Sequence, residues 1–336
     1  MKILTKGEIM NNFKKVGLTA LAGSLAAVSA HAAEMTVSGA TLLTYTSEDE
    51  TEVTGNPLGM KTNLSFTASG EVNGYTVSYM QTSVDQFAGM SSARLSVDMG
   101  DMGTIAFDQG SGSGLKTIDD KTPTAAEEIW DGLDGTSVGG LVGAAGSSGV
   151  LNYIQTISDV TANVAVRRGS GTSNSDGSSS GAGQSAWDFA LTGSGDTFGV
   201  EGVAWGAGYG EASNGDNGVG SGDTEHMTVF ANYSFGPATF GIQKSDIDAP
   251  NTGTDEEVLA WGLAFNVNDN FSVSYGEREV DFKATATSTT EEGEGIAAAY
   301  TMGSIKIAGN INEVKNNNGT AGAKDSMTEI AVSFAF

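Results

Sequence analysis

The chain has 336 residues, with 48 Gly, 4 Pro and no Cys, and its 41 acidic against 16 basic side chains leave a formal charge of -25. That charge repels a phosphate backbone and argues against any nucleic-acid partner, and the missing Cys excludes a disulfide framework and thiolate metal sites. Mean hydropathy of -0.13, with no body stretch reaching the ~18 consecutive apolar residues of a membrane helix, excludes a helical membrane protein.

The first element in chain order is an export signal. Lys14 and Lys15 form a positive region, residues 16–28 an apolar and small-residue run, and Ala30-His31-Ala32 a small-x-small cleavage signature that leaves Ala33 as the mature N-terminus. Residues 1–32 are therefore expected to be removed. Met10 restarts the pattern, so residues 1–9 are open to being a misassigned start.

From Glu34 onward the chain repeats one unit: strand, tight turn, strand, long polar connection. Met227 to Phe235, Gly236-Pro237 and Ala238 to Gln243 make one such hairpin; Leu259 to Val267 and Phe271 to Glu277, joined through Asn268-Asp269-Asn270, make another. Long Gly-, Ser-, Asn- and Asp-rich stretches are read between hairpins at residues 169–183, 206–223, 247–255, 281–292 and 314–325. Within strands the side chains alternate. Leu259, Trp261, Leu263, Phe265 and Val267 are apolar, whereas the intervening Ala260, Gly262, Ala264 and Asn266 are small or polar. About sixteen such strands with alternating short and long connections predict an all-β, transmembrane antiparallel β-barrel, with short periplasmic turns, long external loops and a wet interior.

Parity assigns a face to three basic residues. Leu64, Phe66 and Ala68 face lipid, so Lys61 faces inward; the same argument from Leu95, Val97 and Met99 turns Arg94 inward, and that from Val160 to Val166 turns Arg167 inward. A basic side chain on the lipid face would cost about 2–4 kcal/mol at the midplane.

The signal ending Ala32-Ala33-Glu34, the opening strand Met35-Thr36-Val37-Ser38-Gly39, and the closing strand Ile330-Ala331-Val332-Ser333-Phe334-Ala335-Phe336 together resemble the general porins of Gram-negative outer membranes, most closely the alphaproteobacterial type. The resemblance implies a water-filled channel for passive diffusion of small hydrophilic solutes and ions, a sixteen-stranded barrel (eighteen in the sugar-specific porins) and a homotrimer. It also implies contact with outer-membrane lipid, and assembly by the barrel assembly machinery reading Ile330, Val332, Phe334 and Phe336. In such porins the third external loop folds inward as a constriction. Here the long connection of residues 109–149 follows the fifth strand and carries Asp119, Asp120, Glu127, Glu128, Asp131 and Asp134, with Lys116 and Lys121 among them. Those acids are expected to face Lys61, Arg94 and Arg167 across the pore, setting a transverse field, and the acidic excess predicts a modest cation preference.

Catalytic chemistry is sparse. His226 is the single histidine after the signal, and a Ser/His/Asp triad would have to use it with Asp223 or Glu225. Gly206-x-Gly208-x-Gly210 lacks the βαβ setting of a nucleotide loop and reads as a loop tip. No cofactor is expected beyond a structural Ca²⁺ on the loop acids or the Asp216–Asp223 stretch, whose spacing matches no calcium loop. The competing roles are a secreted or surface Gly/Asp-rich adhesin-like β protein and an outer-membrane barrel hydrolase.

Overall fold

The computed structural model describes residues 34–49, 55–83, 90–133, 148–168, 185–213, 223–249, 255–283 and 288–336; the expected signal and Asp134 lie outside them. Sixteen strands form the fold. They are β1 (Glu34–Asp49), β2 (Leu58–Val72), β3 (Tyr75–Ser83), β4 (Met90–Asp98), β5 (Thr104–Gln109), β6 (Ser148–Ile157), β7 (Val160–Arg167) and β8 (Ala186–Ser194). The second half comprises β9 (Val203–Ser213), β10 (Asp223–Phe235), β11 (Ala238–Asp248), β12 (Glu256–Asn268), β13 (Phe271–Phe282), β14 (Glu291–Met302), β15 (Ile305–Lys315) and β16 (Lys324–Ala335). Each pairs antiparallel with its sequence neighbours, and β1 pairs with β16, so the sheet closes into a barrel.

Closure extends to the final residue. Gly39 N–H donates to the Phe336 carbonyl and Phe336 N–H to the Gly39 carbonyl, both at 2.9 Å. A Cβ at Gly39 would sit 3.1 Å from the Phe336 ring, so glycine here lets the last residue seat against the first strand.

Turn chemistry sets the short end. Asn73-Gly74, both at positive φ, makes the primed turn whose twist matches its flanking strands, and Gly236 at φ 57 before Pro237 makes a second tight turn. At Asn268-Asp269-Asn270 the Asn268 carboxamide oxygen accepts from the N–H of Asn270 and of Phe271, at 2.9 and 3.0 Å.

The period-two pattern becomes two surfaces. Outward lie Leu43, Tyr45, Phe66, Leu95, Leu259, Leu263, Phe265, Ile307, Val332 and Phe334, large apolar side chains that are all exposed. Inward lie small residues such as Ala106, Ala165, Ala190 and Ala260 and polar ones such as Asn152, Asp188, Gln243 and Asn312, all buried. A water-exposed apolar band of this extent would drive aggregation; a bilayer is the solvent in which it is stable.

One stretch differs from its sequence reading. Residues 206–213 are not loop but the body of β9, paired on both sides. The three glycines Gly206, Gly208 and Gly210 face inward in the strand, where the first two are covered by Phe230 and by Leu115 respectively. They were misleading because glycine's ordinary use is a turn, whereas here it makes room on a wall.

Ile307 lies outward on β15 between Tyr300 and Val332. Ile307→Arg is expected to cost about 2–4 kcal/mol in urea titrations of the barrel in lipid, and the inward neighbour Ala308→Ser within about 0.5 kcal/mol. Equal costs would contradict the assignment of faces.

Candidate pore-lining site

The segment after β5 turns into the barrel. Gly110, Gly112 and Gly114 all take positive φ (96°, 96° and 58°), which reverses the chain at three nearby points. Asp108, 2% exposed, gathers that reversal. Its carboxylate accepts from Ser111 N–H (2.8 Å), Ser111 Oγ (2.6 Å) and Ser113 Oγ (2.5 Å). Arg94 stands 3.7 Å from the same carboxylate and donates to the Gly112 carbonyl at 3.2 Å and to Asn152 Oδ1.

Residues 114–133 then travel along the inner wall strand by strand, fastened by side chains that bond the segment's main chain. Asn163 on β7 accepts from Gly114 N–H (2.8 Å) and Asp188 on β8 from Leu115 N–H (2.9 Å). Leu115 and Ile118 pack with Ala190 and Phe230 as a small apolar core beneath the segment. Gln243 on β11 accepts from Lys121 N–H (2.6 Å) and donates to the carbonyls of Ile118 (3.1 Å) and Asp119 (2.7 Å), while Asn232 on β10 donates to the Lys121 carbonyl (2.8 Å). Ser274 on β13 accepts from Ala125 N–H (2.8 Å), and Asn312 on β15 donates to the carbonyls of Glu128 (3.1 Å) and Asp131 (2.9 Å).

Between these polar anchors the wall carries glycine. A Cβ at Gly262 on β12 would lie 2.7 Å from the Pro123 carbonyl oxygen, and one at Gly295 on β14 2.9 Å from Ile129. Polar hook and bare backbone thus alternate along β7 to β15. Irregular chain cannot leave buried amides unpaired, and beyond the short 3-10 turn at Gly114–Ile118 the wall's side chains pair them. These anchors were missed in the sequence because a small polar inner face serves a wet wall equally well.

The acids of the segment divide by environment. Asp120 and Glu127 are exposed to the lumen, and Asp120 pairs with Lys121 at 3.7 Å. Asp119 and Asp131 are half-buried, and burial raises both carboxyl pKa values; the Glu329 carboxylate raises that of Asp131 further, opposed by the Lys61 ammonium. Burial, with Asp120 and Glu127 nearby, pushes Glu128 up to about 7. Glu329, inward on β16 and accepting from Thr46 Oγ1 at 3.1 Å, is a lumenal acid the sequence reading passed over.

The three basic residues are not equivalent. Lys61 faces the lumen within reach of Asp131. Arg94 is engaged by Asp108, Gly112 and Asn152, so it braces the stem of the segment. Arg167 lines a cavity at the long-loop end, of about 490 Å³, together with Glu211 and Asp223. His226 points inward on β10, flanked along the strand by the outward Glu225 and Met227. Strand parity therefore sets Asp223 and Glu225 on the opposite face from His226, which breaks up the triad considered from sequence. Among the described residues no group of three or more His, Asp or Glu is placed to hold a metal ion. Ile330, Val332, Phe334 and Phe336 form an outward apolar row.

Gln243→Ala removes three bonds to the segment and strands buried partners at about 1–3 kcal/mol each. Amide hydrogen exchange over residues 115–125 is expected to speed up while β10 to β12 stay protected. Unchanged exchange there would show that Gln243 does not anchor the segment.

The Gram-negative porin family model matches residues 17–319. A triple mutant of the Rhodopseudomonas blastica porin superposes with a TM-score of 0.61 at 15% identity, covering 90% of this chain and 100% of that one. The anion-selective porin from Comamonas acidovorans superposes with a TM-score of 0.64 at 14% identity, with the same coverage. At those identities the likeness carries the fold, and no curated protein matches the chain in sequence. With a family match over most of its length and a closed sixteen-stranded barrel wearing an apolar outer band, the chain belongs to the Gram-negative porin family and is an outer-membrane porin.

Proposed function

We propose that this barrel is a passive diffusion channel for small hydrophilic solutes and ions, modestly cation-selective, and narrowed by the segment of residues 109–149. The observation that carries the reading is the position of Asp120, Glu127, Glu128 and Asp131 on a chain segment fastened inside the barrel, with Lys61 as the wall cation beside them. Charged side chains around a narrow aqueous path favour the counter-ion. The fold itself is neutral on sign, since the Comamonas acidovorans porin of similar fold is anion-selective. The lining decides, and here it is acidic.

The wall facing the segment supports solutes rather than a binding cleft. Inward positions of β1 to β4 are mostly hydroxyl-bearing: Thr36, Ser38, Thr44, Thr46, Ser65, Thr67, Ser78, Thr82 and Ser96. Such a surface exchanges hydrogen bonds with passing water and polyols without holding either. Family membership supports a homotrimer, and the apolar row ending in Phe336 supports recognition by the barrel assembly machinery.

The test is single-channel recording of the full mature chain in planar bilayers under a salt gradient. Large, stable steps with a reversal potential of cation sign are expected; absence of steps from an inserted barrel would reject an open pore. Asp120→Asn with Glu127→Gln is expected to move the reversal potential toward zero. Glu128, with its carboxyl pKa near 7, is ionised above that pH and neutral below it, so cation preference is expected to fall as pH drops from 8 to 6. Glu128→Gln should flatten that step, and a step of full size in the variant would assign the titration elsewhere.

A further inference from the structure

We propose that Arg278 is a positioning residue, latching the pore-narrowing segment to the turn between β15 and β16; the proposal rests on the reading of residues 109–149 as that segment. Arg278 points inward from β13. Its guanidinium lies over the Trp130 ring, 5.2 Å from the ring centroid, within cation–π range. Its Nη2 donates to Glu291 Oε1 on β14 at 3.0 Å, with both side chains 2% exposed. The other Glu291 oxygen accepts from Asn318 N–H at 2.8 Å. One buried ion pair between β13 and β14 therefore touches two further pieces of chain, the segment at Trp130 and the turn at Asn318.

The turn so engaged is held in a defined shape. Asn316 and Asn318 take positive φ (53° and 51°), Asn316 Nδ2 donates to the Thr290 carbonyl at 3.0 Å, and Thr289 N–H donates to the Gly319 carbonyl at 3.0 Å. Gly319 packs against the Phe282 ring. On the other side of the latch, Trp130 lies between the Glu128 and Asp131 carbonyls that Asn312 holds. Displacing Trp130 thus moves the acids of the pore lining.

Arginine is suited to this place because its planar guanidinium can stack on an aromatic face while its fork donates to a carboxylate. Replacing both members of a buried ion pair by apolar residues is commonly neutral or stabilising, whereas removing one leaves an uncompensated charge. That asymmetry separates a positioning role from a structural one.

The experiment uses the full chain in planar bilayers, with thermal unfolding measured in parallel. R278M alone is expected to lower the melting temperature. R278M/E291M is expected to melt like the parent yet show a higher unitary conductance, added substates and weaker cation preference. W130L, which leaves the ion pair intact, is expected to give the same channel change, and R278K an intermediate one. Native conductance and selectivity in both W130L and R278M/E291M would overturn the latch. The D120N/E127Q variant tells this apart from failure of the underlying reading. A changed reversal potential there, with native W130L, removes the latch alone, and an unchanged one removes the narrowing role of the segment and the latch with it.

Discussion

The constraint on which the rest of the molecule depends is that backbone amides in a bilayer have no water to bond. A spanning sheet must therefore pair every strand on both sides, which requires closure. Here closure is carried by the ten-residue register between β1 and β16 and finished by the reciprocal Gly39–Phe336 bonds. Once the ring is closed, each strand has one face to lipid and one to water, and the period-two alternation follows as a solvent requirement.

The interior then poses a second problem of the same kind. Residues 110–133 enter the barrel with no more regular structure than one short 3-10 turn at Gly114–Ile118, so most of their amides and carbonyls need partners. The wall supplies them from Asn163, Asp188, Asn232, Gln243, Ser274 and Asn312, each on a strand that also has to keep its outward apolar row. Close approach of two backbones needs glycine, which Gly262 provides at Pro123, while Gly208 and Gly295 make room for the Leu115 and Ile129 side chains of the segment. The inner face of β7 to β15 is thus a docking surface for the chain's own segment. That of β1 to β4 is left facing the lumen.

This division bears on the electrostatics. Arg94 and Asp108 neutralise one another at the stem, and Arg278 and Glu291 do so at the far end. Charge that fastens the segment is spent on fastening and contributes little field. Asp120 and Glu127 are left facing water, with Lys61 near Asp131. Of the three basic residues read as wall cations, Arg94 is engaged at the stem by Asp108, Gly112 and Asn152.

Sequence alone pointed to about sixteen strands, the alternating faces of those strands, and the place where the chain leaves the wall. These are local properties, written in alternation and turn chemistry over a few residues. It misread residues 206–213, because the reason for glycine there is Leu115 and Phe230, and glycine carries no side chain to announce a neighbour. Tertiary structure decided which polar residues hold the segment, that Arg94 braces its stem, and that Glu329 joins the lumenal acids. Those contacts link residues 122 apart at Lys121 and Gln243 and 184 apart at Glu128 and Asn312. No short-range pattern encodes them, because the partners meet only after the ring has closed and brought distant strands around one lumen.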